Sequence, residues 1–122
     1  MTYHDSFAYF APRYGMTVIG AVQPADLSEP TPREVRRIID QVRAAGVPAV
    51  FGSEVFDSRV LEQVSAEAGA RYVNELSDDA LPGDPGDLGH TYVGMMVDDV
   101  RIITRALGGD PAALDAVPVA NE

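Results

Sequence analysis

The sequence predicts an α/β domain of three layers, with helices on both faces of a mostly parallel sheet of about four strands. Short apolar runs alternate with stretches whose apolar residues recur at helical spacing, and the connections between them are short. Alternation of this kind is typical of parallel sheets covered by helices. No internal repeat interrupts the pattern. We therefore expect one domain over residues 1–108 and a loosely structured tail over residues 109–122.

The strands are predicted from apolar runs that carry few charges. Residues 16–22 (MTVIGAV), 48–55 (PAVFGSEV) and 70–76 (ARYVNEL) have this character, which suits strands covered on both faces. A further strand would precede His4. Upstream of residues 16–22, apolar residues on one face predict a helix over residues 5–14, although Pro12 is unfavourable inside a helix.

The remaining helices are predicted from their first residues and their apolar faces. Thr31, Pro32 and Glu34 fit an N-cap, a first helical position and a capping box. Residue 57 or 58 caps a third helix, which ends before Gly69. A last helix covers residues 90–107. We expect apolar residues at helical spacing to form its buried face: Tyr92, Met96, Val100, Ile103 and Leu107.

Composition excludes several classes of function. The net charge is −10, and the nine basic residues are arginines spread along the chain, so we expect neither nucleic acid nor an anionic membrane surface as a partner. The absence of cysteine excludes disulfides, zinc–thiolate sites and thiol catalysis. No stretch is long and apolar enough to predict a membrane span. The first residues lack the features of a signal peptide.

Conventional catalytic and nucleotide motifs are missing from the sequence. It contains no G-x-G-x-x-G after a strand, no G-x-x-x-x-G-K-[ST] and no G-x-S-x-G. Without lysine it cannot complete the phospho-acceptor site of a magnesium-dependent response regulator. Neighbouring residues on a helix diverge by about 100°, so we interpret Asp98 and Asp99 as part of a solvated face. We predict that the chain is not an enzyme.

Four other side chains stand where ligands collect in parallel sheets, at the carboxyl ends of strands. His4 would follow a first strand, Glu54 stands at the end of the second apolar run, and Asp78 and Asp79 follow the third. Each has a structural alternative. His4 could be a terminal histidine, the two aspartates could cap a turn, and Glu54 could accept hydrogen bonds from loop amides. As a set, imidazole and carboxylate suit zinc, manganese or iron.

Five ordered segments resemble the zinc- and manganese-binding solute-binding proteins of ABC importers. Residues 3–10 (YHDSFAYF) with 14–16 (YGM) are similar to the family's H-D-A-F-x-Y-F-x-x-x-Y-G-L segment. Residues 29–32 (EPTP) resemble E-P-S, and residues 50–54 (VFGSE) resemble I-F-x-E. Residues 75–81 (ELSDDAL) resemble L-x-S-D-A-L, and residues 92–96 (YVGMM) resemble Y-x-x-M-M. The resemblance as a whole spans about residues 2–107.

The resemblance implies one lobe, the C-terminal one, of a two-lobed metal-binding receptor. Carried over by position, His4 and Asp79 match the two metal ligands of that lobe, with Asp78 as the alternative acid. Glu54 matches a carboxylate near the site. Histidine at the first position resembles the zinc branch more than the manganese branch. The family implies a periplasmic or membrane-anchored parent protein and an ABC permease as its partner.

The sequence departs from the family by lacking the N-terminal lobe and its two histidine ligands. We therefore expect two further ligands to come from a missing lobe or from another chain. A separated lobe would expose an apolar patch, for which Phe7, Tyr9 and Phe10 are candidates, and homodimerisation could cover it. The alternative function is a self-associating or partner-binding domain that no longer depends on metal.

Overall fold

The computed structural model describes residues 1–2, 5–23, 29–53, 58–77 and 80–119. The helices and strands are, in chain order, α1 (Phe10–Arg13), α2 (Pro32–Ala45), β1 (Ala49–Ser53), α3 (Arg59–Ala68), β2 (Arg71–Leu76), α4 (Tyr92–Ala106) and a 3-10 helix (Ala112–Ala116).

The sheet is parallel. Beside β1 it is extended by isolated bridges of single residues. β1 pairs with β2, and Phe51 lies opposite Val73. Thr2 forms one isolated parallel bridge to Phe51 and another to Ala21. The spatial order is therefore Ala21, Thr2, β1 and β2. Within the described ranges only two segments are regular strands, so the predicted number of about four is too high.

Helices cover both faces of this sheet, which confirms the predicted three-layer α/β/α class. Side chains of β1 alternate between the faces: Val50 packs with α2 and α3, whereas Ala49 and Phe51 pack with α4. The first cluster contains Ile38, Ile39, Val42, Leu61 and Val64. The second contains Val73, Leu76, Ile103 and Ala106, with Phe7 and Phe10 packed against it.

Helix α2 begins with the predicted capping box. The Glu34 N–H donates to Thr31 Oγ1 at 3.4 Å, and the Thr31 N–H donates to Glu34 Oε2 at 2.7 Å. Pro32 occupies the first helical turn, where the missing N–H would have no helical partner. Gly46 ends the helix in the left-handed conformation, with φ of 60°.

We expect Thr31→Ala to lower the free energy of unfolding by about 1 kcal/mol, the usual value of an N-cap hydroxyl. Urea denaturation followed by circular dichroism measures this change. Asp40→Ala on the exposed face of α2 is the control, because its ion pair with Arg43 at 3.5 Å is solvated on both sides. Equal losses in the two variants would show that the cap contributes nothing specific.

Helix α3 begins at one of the two predicted capping residues. The Leu61 N–H donates to Ser58 Oγ at 3.2 Å, and Gly69 ends the helix at φ of 75°. Asp57, the other candidate cap, lies outside the described residues. Ser65 is a buried polar residue of this helix. Its burial is tolerated because the hydroxyl donates to the Leu61 carbonyl at 2.8 Å.

The two predictions for residues 5–22 were wrong in extent. Regular helix is confined to α1, because Pro12 cannot donate the bond that would join it to residue 8. Residues 16–22 form no regular strand. Gly20 has φ of 155°, and the carbonyl of Ile19 accepts from the Gln41 side chain. Only Ala21 of this segment bridges to the sheet.

The predicted buried face of α4 was also largely wrong. Ile103 is buried, but Met96 and Val100 are only partly buried, and Tyr92 and Leu107 are exposed. The residues that face inward are instead Gly94, Val97, Asp99, Ile103 and Ala106. Apolar residues surround most of this helix, so their spacing alone does not select one face.

The segment after α4 contacts that helix. The Thr91 hydroxyl donates to the Val119 carbonyl at 2.6 Å, and Asp115 lies 3.3 Å from the Arg101 guanidinium. The domain boundary at residue 108 stays a prediction. In the described part of the chain, no helix has the length and apolar character needed to cross a bilayer.

Candidate metal centre

All four predicted metal-site residues fall outside the described ranges. In the sequence, His4 comes two residues after Thr2, and Glu54 directly follows β1. Asp78 and Asp79 follow β2 after one intervening residue. The structure therefore describes the frame on which this candidate site depends, namely the ends of the parallel segments and the helix packed beside them. Their roles as metal ligands stay predictions.

The frame is a set of parallel segments that end at one edge of the sheet. The Phe51 N–H donates to the Met1 carbonyl at 2.9 Å, and the Val22 N–H donates to the Thr2 carbonyl at 3.0 Å. On the other side of β1, Ser53 pairs with Leu76 of β2. Thr2 lies opposite Phe51, two residues before Ser53, so these parallel segments run toward the same carboxyl edge of the sheet.

A buried carboxylate lies beside the end of β2. Asp99 of α4 is only 3% exposed, and its Oδ1 accepts from the Ser77 N–H at 2.9 Å. The prediction that Asp98 and Asp99 form a solvated face is correct for Asp98, whose side chain is 51% exposed and lies 2.8 Å from Arg101. It is wrong for Asp99.

The sequence contained a signal for the burial of Asp99. This residue precedes Ile103 by four positions and Ala106 by seven, so the three share one face of α4, and all three are buried. The prediction for α4 considered only large apolar residues and so missed the face that carries Asp99. Asp99 is the residue near the candidate site that the sequence analysis did not identify.

The loop between β2 and α4 is closed by its own hydrogen bonds. The Asp84 N–H donates to Asp87 Oδ2 at 2.9 Å, and His90 Nδ1 lies 3.1 Å from the Pro82 carbonyl. The Thr91 hydroxyl accepts from the Gly94 N–H at 2.9 Å, which caps α4. His90, the second histidine of the chain, therefore has a structural partner within this loop.

Potential metal-binding side chains do not cluster elsewhere in the described ranges. There, no three histidine, cysteine, aspartate or glutamate side chains lie close enough together to hold a metal ion. Zinc sites normally use three or four protein ligands. Within the described ranges, the structure therefore shows no site with the usual number of zinc ligands.

Aromatic side chains near α1 differ in exposure, which bears on the predicted apolar patch. Tyr9 is 94% exposed, whereas Phe7 and Phe10 are partly buried against the second core cluster. The two phenylalanine rings meet edge to face, with centroids 5.6 Å apart. Only Tyr9 of the three predicted patch residues is fully exposed.

The three-layer α/β fold is the one that the resemblance to one lobe of a solute-binding protein implies. The chain belongs to the family described as zinc-uptake complex component A, periplasmic, whose model matches residues 1–106. This match confirms the resemblance predicted from the five sequence segments.

Curated relatives carry the names of different metals. The chain is 30% identical over 108 residues to the iron-binding protein YfeA of Yersinia pestis, covering 88% of this chain and 34% of that protein. It is 30% identical over 112 residues to the zinc-binding protein TroA of Treponema pallidum, covering 88% of this chain and 36% of that protein. The chain spans about a third of the length of these relatives, which are named as metal-binding proteins and not as enzymes.

Solved structures show the same fold. A manganese-bound periplasmic metal-binding protein of Candidatus Liberibacter asiaticus matches with a TM-score of 0.74 at 24% identity, over 88% of this chain and 39% of that chain. The periplasmic zinc-binding protein TroA matches with a TM-score of 0.69 at 27% identity, over 87% of this chain and 40% of that chain.

Proposed function

We propose that this chain binds a divalent transition metal, with zinc preferred over manganese, as one half of a metal site that serves uptake. His4 and Asp79 would be the direct ligands, with Asp78 as the alternative acid and Glu54 as a supporting carboxylate. The observation that carries the proposal is the parallel arrangement in which Thr2 bridges to Phe51 and Ser53 pairs with Leu76. The four residues follow these segments, in the sequence, toward the carboxyl edge of the sheet.

The donor chemistry supports zinc as the preferred ion. A nitrogen donor from imidazole favours zinc over manganese, and affinities of nitrogen and oxygen sites generally rise from manganese to zinc. Imidazole binds metal only in its neutral form, so protons compete with the ion as the pH falls. The net charge of −10 adds a long-range attraction for cations.

Two protein ligands make an incomplete site. A closed zinc site has four ligands, so the proposal needs two more from another part of a longer protein or from a second chain. The relatives are about three times the length of the aligned segment, which leaves room for such a part. In that longer, periplasmic or membrane-anchored protein, the bound ion would be cargo passed to an ABC permease.

Zinc titration of the 122-residue chain tests the proposal. We expect weak zinc binding that His4→Ala or Asp79→Asn reduces at least tenfold, as expected when a ligand is removed from a site that has few. Isothermal titration calorimetry, repeated with manganese, measures the affinities. Light scattering with and without zinc shows whether two chains share one ion.

His90→Gln is the matched control, because it removes the other imidazole from a loop where Nδ1 contacts the Pro82 carbonyl. We expect its zinc affinity to equal that of the wild type. Equal affinity in His4→Ala and the wild type would contradict the proposal, as would a His90→Gln variant that loses as much affinity as His4→Ala.

A further inference from the structure

Helix α2 carries a concentration of positive charge on an acidic molecule. The net charge of the chain is −10, yet four of its nine arginines lie within the 14 residues of α2. Arg33, Arg36 and Arg37 fall within five consecutive positions in the first half of the helix, and Arg43 lies near its end. All four are exposed. We call the first three of these arginines the α2 basic surface.

The charge of this surface is not neutralised within the described part of the chain. One acid of α2 caps the helix, and the other, Asp40, lies 3.5 Å from Arg43. Among the described residues, no carboxylate lies within ion-pair distance of Arg33, Arg36 or Arg37. The α2 basic surface can therefore receive carboxylates from another molecule.

The stability of the helix does not account for these arginines. Arg33 lies in the first turn of α2, where the helix macrodipole favours negative charge. Arg33 and Arg37 are four residues apart, and like charges at this spacing repel each other on a helix surface. An anionic partner would convert the same charges into favourable contacts.

A groove between α2 and α3 adjoins the α2 basic surface. It has a volume of about 740 Å³, and Val35 and Ile39 supply part of its apolar lining. Arg36 lines it from α2, and Gln63 lines it from α3. An apolar side chain could therefore enter the groove while a neighbouring carboxylate meets Arg36.

Two acids also line the groove, and both have partners. Asp40 lies 3.5 Å from Arg43, and Glu67 Oε1 accepts from Gln63 Nε2 at 2.8 Å. Arg43 Nη2 also donates to the Glu67 carbonyl at 2.6 Å, which links α2 to α3. These bonds engage Arg43 and leave Arg36 as the arginine of the groove that can receive an external carboxylate.

We propose that the α2 basic surface binds an acidic segment of a protein partner, with an apolar side chain of that segment in the groove. Arginine suits this contact because its planar guanidinium can form two parallel hydrogen bonds with one carboxylate. A second copy of this chain fits less well, because each copy carries a net charge of −10. An anionic membrane also faces the charge of the whole molecule, whereas a short segment experiences mainly the charges within a Debye length of about 8 Å.

Binding of labelled acidic peptides to the 122-residue chain tests this proposal. One peptide contains glutamate alone, and in the other leucine replaces every fourth glutamate. We expect both to bind, and we expect Arg33→Glu combined with Arg37→Glu to weaken both at least about tenfold, because two attractive contacts become repulsive. Fluorescence anisotropy measures the affinities. Arg71→Glu combined with Arg105→Glu is the matched control, because it makes the same change in net charge at two exposed arginines outside α2.

Gln63→Trp tests the groove separately. The Gln63 side chain is exposed on the α3 side of the groove, so tryptophan there would occupy the space that leucine needs. We expect this variant to weaken binding of the peptide that contains leucine and to leave binding of the glutamate peptide unchanged. Equal binding of both peptides to Gln63→Trp and the wild type would remove the groove from the proposal.

The variants are expected to fold, because every substituted side chain is exposed, and circular dichroism verifies this. A wild-type chain that binds neither peptide overturns the proposal, as do equal losses in the two doubly substituted variants. Binding to phosphatidylglycerol vesicles that depends on Arg33 and Arg37 would assign the surface to a membrane instead. A dimer in light scattering that Arg33→Glu with Arg37→Glu abolishes would assign it to a second copy and also overturn the proposal.

Discussion

Replacing Leu61 with alanine is expected to lower the free energy of unfolding by about 2–5 kcal/mol, the range for a buried leucine whose cavity stays open. Leu61 is fully buried, at 0% exposure. It lies on α3 within the cluster that joins α2, α3 and β1. Urea denaturation measures the loss. A change of this size is a large fraction of the stability of a domain this small.

Leu88→Ala is the control for Leu61→Ala, because it removes the same atoms from a side chain that is 76% exposed. Surface substitutions usually stay within about 0.5 kcal/mol. Comparable losses in the two variants would mean that α3 does not pack against the sheet as described. The slope of unfolding against urea should stay the same in both variants, because neither changes the overall surface exposed on unfolding.

Gly94→Ala is expected to destabilise the protein by about 2 kcal/mol, although alanine is the better helix former by about 1 kcal/mol. A Cβ at Gly94 would collide with the Gly89 carbonyl group, whose carbon would lie 2.9 Å away. The carbonyl cannot easily move, because it accepts from the Thr91 N–H at 2.8 Å. Moving the helix instead would break the cap between the Gly94 N–H and the Thr91 hydroxyl.

Gly89→Ala separates this collision from any general effect of adding a methyl group to the loop. A Cβ at Gly89 meets no atom within 4 Å, and its φ is not positive. We expect Gly89→Ala to be as stable as the wild type or slightly more stable, because alanine restricts the unfolded chain. Thermal denaturation of both variants measures the difference. Stabilisation by Gly94→Ala would contradict the close approach of α4 to residue 89.

Helices α2 and α3 were predictable because their signals are local. Thr31 and Glu34 bond to each other across one turn, and Ser58 bonds to the nearby Leu61 N–H. Glycines with positive φ end both helices. Their apolar stripes are narrow, so the spacing of Ile38, Val42 and their neighbours selects one face. Local hydrogen bonds and a single apolar stripe therefore determine the ends and the buried face of these helices without distant contacts.

Residues 16–22 and α4 were less predictable because distant contacts decide them. Gln41, from α2, donates to the Ile19 carbonyl, and Gly20 beside it has φ of 155°. On α4, Gly94 lies against Gly89 on the buried side, and the larger residue Tyr92 is left exposed. Neither contact has a sequence signal within its own segment.

The candidate site was also predictable only in part. Sequence reasoning identified the edge of the sheet from the order of strands and helices, and the parallel bridges of Thr2 support that edge. The ligand roles of His4, Glu54, Asp78 and Asp79 stay predictions, since these residues lie outside the described ranges. The burial of Asp99 was missed because the prediction for α4 considered only large apolar residues and so selected the wrong face of the helix.

The central place of Thr2 in the sheet bears on how the domain assembles. The residues that pair in β1 and β2 are joined by α3 alone, whereas Thr2 and Phe51 are more than twice as far apart along the chain. Each doubling of a loop adds only about 0.6 kcal/mol of closure entropy, so this placement costs little net stability. Its effect falls on the order of folding: we expect the local pairing of β1 with β2 to form before the more distant bridge between Thr2 and Phe51.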